Sequence, residues 1–133
     1  MAIYNHDDFH YVSSMVDCLD NQDLRTMSTE SLRSFDDQVA SIPQDACTPF
    51  YVAAGRLESE LLVFYRLVVL CSKKEEDLDK VAQWWEAMVG LCDEFAARLE
   101  TLVQQHPHCG VEIYRDRFLD VRNTCKRFQT LHA

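Results

Sequence analysis

Three residues in the last third of the chain have the chemistry to bind a metal ion. His106, His108 and Cys109 lie within four consecutive positions, and imidazole nitrogen and thiolate sulfur are common zinc ligands. Their spacing matches no common zinc motif, and a fourth ligand would have to come from elsewhere in the chain. We therefore regard these residues as weak candidates for a metal site and expect no cofactor. Cys109 is also the best-placed cysteine nucleophile, because a histidine base could lie beside it.

A second group with possible chemistry lies at the C-terminal end. Arg127 and His132 are separated by four residues and fit the pattern Arg-x4–6-His. This six-residue match resembles the ribonuclease signature of HEPN domains, which are also small helical bundles. The resemblance would imply that both side chains act in RNA cleavage. A pattern this short also arises by chance, and chain ends tend to fray.

Most other catalytic signatures are absent from the sequence. There is no Gly-rich phosphate loop, no G-x-S-x-G and no H-E-x-x-H. No glutamate is followed three residues later by histidine, which a ferritin-like di-iron bundle requires. The apolar faces between residues 50 and 128 carry no charged side chain or histidine. The sequence therefore favours a protein that is not an enzyme.

Apolar residues recur at alternating intervals of three and four in three long segments, which is typical of the buried face of a helix. The most apolar stretch is Leu61–Cys71, in which only Arg66 is charged. The three stripes are Phe50, Ala54, Leu57, Leu61, Phe64, Val68 and Cys71; Leu78, Val81, Trp85, Met88, Cys92, Phe95, Leu99 and Leu102; and Val111, Tyr114, Phe118, Val121, Cys125 and Phe128. We interpret the cysteines on these stripes as small core residues.

Two shorter helices are predicted before the central one. The first covers roughly residues 8–20, and a polar break follows at 21–23. The second, about a dozen residues long, is predicted to be capped by Ser28 or Thr29 and ended by Pro43. A turn at Ser72–Asp77 is expected to separate the central helix from the next, although one helix over 50–105 remains possible. The fold predicted for residues 1–133 is a single all-α domain, an antiparallel bundle of about five helices, three long and two short.

The central helix has more apolar residues than one buried stripe needs. Leu62, Val63, Val69 and Leu70 lie off the stripe, and a helix that is apolar nearly all round is buried on several sides. Trp84 lies beside the stripe residue Trp85, either as a flanking core residue or as an exposed aromatic anchor. We predict that these five off-stripe residues form a contact surface, unless the helix is simply the centre of the fold.

The overall charge indicates which kind of macromolecule the chain could bind. The formal net charge is −9, and residues 1–60 hold eleven acidic side chains against three basic ones. Acidic surface disfavours nucleic acid, which requires basic groups to replace counterions, whereas it favours a basic protein surface. No stretch is long and apolar enough to span a membrane as a helix. The first twenty residues lack the signal-peptide pattern, so we expect a cytoplasmic protein with reduced thiols.

The leading functional hypothesis is a small cytosolic module that acts by protein–protein contact, as an adaptor, chaperone, inhibitor or regulatory subunit. A second copy of the chain is one possible partner, giving a homodimer. One alternative is a metal-binding or HEPN-like ribonuclease bundle. A further alternative is a small-ligand-binding bundle, in which Ala54, Cys71 and Cys92 leave space between the helices.

Overall fold

The computed structural model describes residues 21–132, with side chains from 23 to 131, and this range is all-α with no strand. Its four helices are α1 (Asn21–Ala40), α2 (Cys47–Lys74), α3 (Leu78–Gln105) and α4 (Glu112–His132). The all-α prediction is confirmed. The predicted bundle of about five helices is not, because four are present and the helix expected at residues 8–20 lies outside the described range.

Short connections make each helix antiparallel to the next. Ring contacts give the register of the two hairpins: Phe64 of α2 meets Phe95 of α3 with 6.3 Å between centroids, and Trp85 of α3 stacks on Phe128 of α4 at 4.7 Å. The α3–α4 pair is the most closely packed, whereas α1 packs against α2 and α3. As a result, the N-terminal end of α2 lies beside the α3–α4 connection.

The turn between α2 and α3 lies where the sequence predicts it. The Asp77 carboxylate caps α3 by accepting hydrogen bonds from the backbone N–H groups of Asp79 (3.0 Å) and Lys80 (3.3 Å). The alternative of a single helix over 50–105 is therefore wrong. Ser72 does not cap α3, because it lies inside α2 and its hydroxyl donates to the carbonyl of Val68 at 2.7 Å.

Helix α1 is longer than predicted. Residues 21–23, which are predicted to be a polar break between two helices, are helical and belong to α1. Ser28 does not cap a helix, since its hydroxyl donates to the Arg25 carbonyl at 3.0 Å in mid-helix and the residue is buried. A serine that bonds the carbonyl of the preceding turn can sit inside a helix. The fully buried Leu24 anchors the early turns of α1 to the core, which outweighs the local polarity of the sequence.

The predicted stripes form one core, in which Tyr114, Val121 and Phe128 are partly buried. Leu78 is the exception, because it is 58% exposed at the first position of α3. Cys71, Cys92 and Cys125 are buried, as expected for small core residues. Among the described residues, only Ser28, Ser31 and His106 are polar and buried. No described helix is both long enough and apolar enough to cross a bilayer.

Candidate functional site

The residues with the most capacity for chemistry meet at one end of the bundle. Cys47 is the first residue of α2, and Cys109 lies in the connection between α3 and α4. A disulfide joins them across 62 positions of sequence, with their Cα atoms 4.9 Å apart. The expectation of reduced thiols is therefore wrong for this pair. Spacing along the chain does not show that these two positions are neighbours.

The connection 106–111 is shaped by backbone hydrogen bonds and one glycine. His106 ends α3, and its N–H donates to the Leu102 carbonyl at 2.8 Å. The Cys109 N–H then donates to the His106 carbonyl at 3.2 Å. Gly110 has a φ of +78°, in the left-handed region that favours glycine. This conformation redirects the chain into α4 and leaves residues 108 and 109 beside the start of α2.

The predicted histidine–cysteine group divides into two parts. The Sγ atoms of Cys47 and Cys109 and a ring nitrogen of His108 all lie within 4.8 Å of one another. His106 is not part of this group. Its buried ring stacks on Phe50, with 4.2 Å between centroids and 28° between planes. Two of the three predicted residues are thus brought together, and Cys47 is the member that sequence reasoning missed.

The disulfide determines the chemistry of this corner of the bundle, which Cys47, His108 and Cys109 form. With its sulfur bonded to Cys47, Cys109 has no thiolate for nucleophilic attack, so its proposed role as a nucleophile is wrong for this state. The corner remains accessible from solvent, since His108 is exposed and Cys47 is half-buried. In this oxidised state, the disulfide holds the start of α2 against the α3–α4 connection.

A tyrosine pair lies further along the same side of α2. Tyr51 and Tyr114 meet edge to face with their centroids 4.9 Å apart. Burial, together with a hydrogen bond between the Tyr114 and Tyr51 hydroxyls, raises the pKa of Tyr114. Arg117 lies 5.2 Å from the centre of the Tyr114 ring and forms a 3.4 Å ion pair with Glu58 of α2. These contacts attach α4 to α2. The tyrosine pair and the Arg117–Glu58 ion pair are both formed within the chain.

Two thiols form a hydrogen-bonded pair inside the α3–α4 hairpin. Cys92 and Cys125 are fully buried. The hydrogen bond to Cys125, reinforced by burial, raises the pKa of Cys92. The same hydrogen bond lowers the pKa of Cys125, against the opposing effect of burial. Because neither sulfur contacts solvent, the pair serves packing in the folded state.

The two residues of the HEPN-like pattern both lie on α4. Arg127 is exposed and donates a 3.3 Å hydrogen bond to the Thr124 hydroxyl, while the side chain of His132 lies outside the described residues. The described residues therefore do not test whether the two side chains meet.

The residues proposed to leave a ligand space are packed. Ala54, Cys71 and Cys92 are each at most 1% exposed. Two grooves of ≈ 650 and ≈ 520 Å³ lie between α1 and α3, and none of these three residues lines either one. The large openings of the described chain are therefore surface grooves of mixed polarity, away from the proposed space.

The predicted contact residues differ in their exposure. Leu62 is 37% exposed, whereas Val63, Val69 and Leu70 are half-buried and pack partly on the core. Trp84 is only 3% exposed, with the Lys80 ammonium 5.5 Å from the centre of its ring. It is therefore a core residue, as its place beside the stripe also allowed, and it does not belong to a contact surface.

Comparisons with protein-family models, with curated proteins and with solved structures found no match.

Proposed function

We propose that this chain is a non-catalytic interaction module, and that the outward side of α2 is its contact surface. We call this surface the α2 outer face. Because an α-helix turns about 100° per residue, its members all lie on the side of α2 that faces outward between α1 and α4. They are Val52, Arg56, Leu62, Val63, Arg66, Val69 and Leu70.

The observation that supports this proposal most directly is the exposure of apolar side chains on this one helix. Val52 is 52% exposed and Leu62 is 37% exposed. Val63, Val69 and Leu70 each cover the core with one side and face outward with the other. An apolar surface lined with arginine is characteristic of the centre of a protein interface.

The composition of the interior argues against catalysis as the main role. The buried polar side chains of the described chain are two serines and the stacked His106. None of them forms the pair of titratable groups that general acid–base catalysis needs. Function is therefore expected from the surface.

The partner we propose is a second copy of the chain. An antiparallel arrangement of two α2 helices centred on Val63 places Leu62 and Val63 of one copy against the same two residues of the other. In such a two-fold contact the same patch serves both copies. The exposed Arg56 adds positive charge at the rim of this face, which reduces the repulsion between two chains that each carry a net charge of −9.

The experiment is light scattering with size-exclusion chromatography and sedimentation equilibrium, from ~1 to ~100 µM, the range of weak to moderate protein affinities. We expect a concentration-dependent dimer. Leu62→Glu should weaken it at least about tenfold, since this substitution places charge in an apolar contact. The matched control is Leu131→Glu, which changes a leucine that is 75% exposed near the end of α4 and should leave the dimer intact.

Two results would contradict the proposal. A monomer at every concentration would exclude the second copy as partner. A dimer equally stable in both variants would show that the contact surface lies elsewhere. Circular dichroism on each variant confirms that the charge has not unfolded the helices.

A further inference from the structure

We infer that reduction of the Cys47–Cys109 disulfide creates a binding site for a thiophilic divalent cation, with Zn²⁺ as the first candidate. Its ligands are the two thiolates and His108. The site is independent of the α2 outer face.

The ligand atoms are already close to the geometry that zinc requires. The two sulfurs and a His108 ring nitrogen lie within 4.8 Å of one another. Around a tetrahedral zinc ion, sulfurs lie roughly 3.8 Å apart, and a sulfur and a nitrogen roughly 3.5 Å apart. Unbonded sulfur atoms come no closer than about 3.5–4 Å. Breaking the disulfide therefore moves the sulfurs toward the separation that spans a metal ion.

The backbone positions of the ligands favour an anionic, accessible site. Cys47 is the first residue of α2, and the positive end of a helix dipole stabilises a thiolate there. His108 is exposed, so a cation can reach it from solvent. Three protein ligands leave a fourth position for water or for a group from another molecule.

The oxidised and metal-bound states exclude one another. Reduction adds two electrons and two protons to the sulfur–sulfur bond and yields two thiols. A dithiol reductant supplies both electrons and both protons and is itself oxidised to a disulfide. Zinc then replaces the two thiol protons, which pass to solvent. The corner can thus be closed covalently or closed by a metal ion, according to the redox conditions.

No other described cysteine competes for this role. Cys71, Cys92 and Cys125 are at most 1% exposed, so an ion cannot reach them in the folded chain. His106 is held by Phe50. Cys18 lies outside the described residues, so the test uses a Cys18→Ser background.

The test compares oxidised and reduced protein in metal-free buffer. The full chain is reduced with a water-soluble phosphine, which becomes the phosphine oxide by taking oxygen from water, and is desalted under argon. Zn²⁺ affinity is then measured by competition with a chromophoric chelator, and Co²⁺ spectra report thiolate ligation and tetrahedral geometry. The variants are His108→Ala and Cys109→Ser, with Gln105→Ala, an exposed residue at the end of α3, as matched control.

We expect one Zn²⁺ per reduced chain and none per oxidised chain. His108→Ala should weaken binding at least about tenfold, because loss of even an outer-shell partner has that effect, while Gln105→Ala should bind as the parent does. Equal binding by the oxidised chain, no binding by the reduced chain, or unchanged affinity in His108→Ala would each overturn the inference. A Co²⁺ complex without thiolate charge-transfer bands would also overturn the inference. If Cys109→Ser fails to fold, the exposed His108→Ala, which keeps the disulfide, still decides the question.

Discussion

Reducing the Cys47–Cys109 disulfide in the presence of a metal chelator should destabilise the bundle substantially. The disulfide closes a loop of 62 positions. In the chain-entropy treatment, a cross-link of that span lowers the entropy of the unfolded chain by about 14 cal/mol/K, which is about 4 kcal/mol at 25 °C. That is a large part of the 5–15 kcal/mol typical for a whole domain.

The assay is urea unfolding of the oxidised and reduced chain, followed by circular dichroism. For a chain of this size the same change should lower Tm by roughly 10–15 °C. A thiol titration of the unfolded protein, which should find two more thiols after reduction, confirms that the bond was present. The chelator is required because zinc bound to the reduced corner would restore part of the loss.

The matched control is the double variant Cys47→Ala/Cys109→Ala, whose stability should not respond to reductant. A stability difference below about 1 kcal/mol between the two redox states would refute the reasoning. It would mean either that the unfolded chain keeps the two ends together without the bond or that the native bond is strained.

Three further predictions test local features. Gly90→Ala should stabilise α3 by about 0.5–1 kcal/mol in chemical unfolding, because its added Cβ meets nothing within 4 Å; Gly55→Ala should gain less, since its Cβ lies 3.1 Å from a tyrosine hydroxyl. Asp77→Ala should cost about 1 kcal/mol by removing the cap of α3, seen as a lower urea midpoint. Hydrogen bonds from Arg115 and Gln104 lower the pKa of Glu100, so this carboxylate stabilises the fold above its unfolded pKa and loses that effect as pH falls through the folded value. Replacing Arg115 with glutamine should flatten stability against pH below about 4.5, and an unchanged profile would contradict this.

The long helices could be predicted from the sequence because their local signals agree. In α3, an unbroken apolar stripe, an acidic start and a proline shortly after the end all indicate one helix. Helix α1 was harder to predict. Its early residues are polar, and the burial of Leu24 that holds them in a helix is a tertiary effect invisible in a local pattern.

The site could be predicted only in part, for a related reason. His108 and Cys109 stand out because they are adjacent in a short polar segment. Cys47 is 62 positions away from Cys109, and only the antiparallel order of α2, α3 and α4 brings it to them. Off-stripe cysteines at the ends of predicted antiparallel helices are the signal that could have identified the pair.

The Cys47–Cys109 bond also has a mechanical consequence. It makes a covalent ring of α2 and α3, with α1 and α4 attached outside it. When the chain is pulled from positions 21 and 132, the residues inside the ring carry no tension and do not extend. Sixty-two positions at about 3.5 Å each amount to roughly 220 Å of hidden length, which becomes available only when the bond is reduced. The same ring would keep the two halves of the chain together after a protease cut in the turn between α2 and α3.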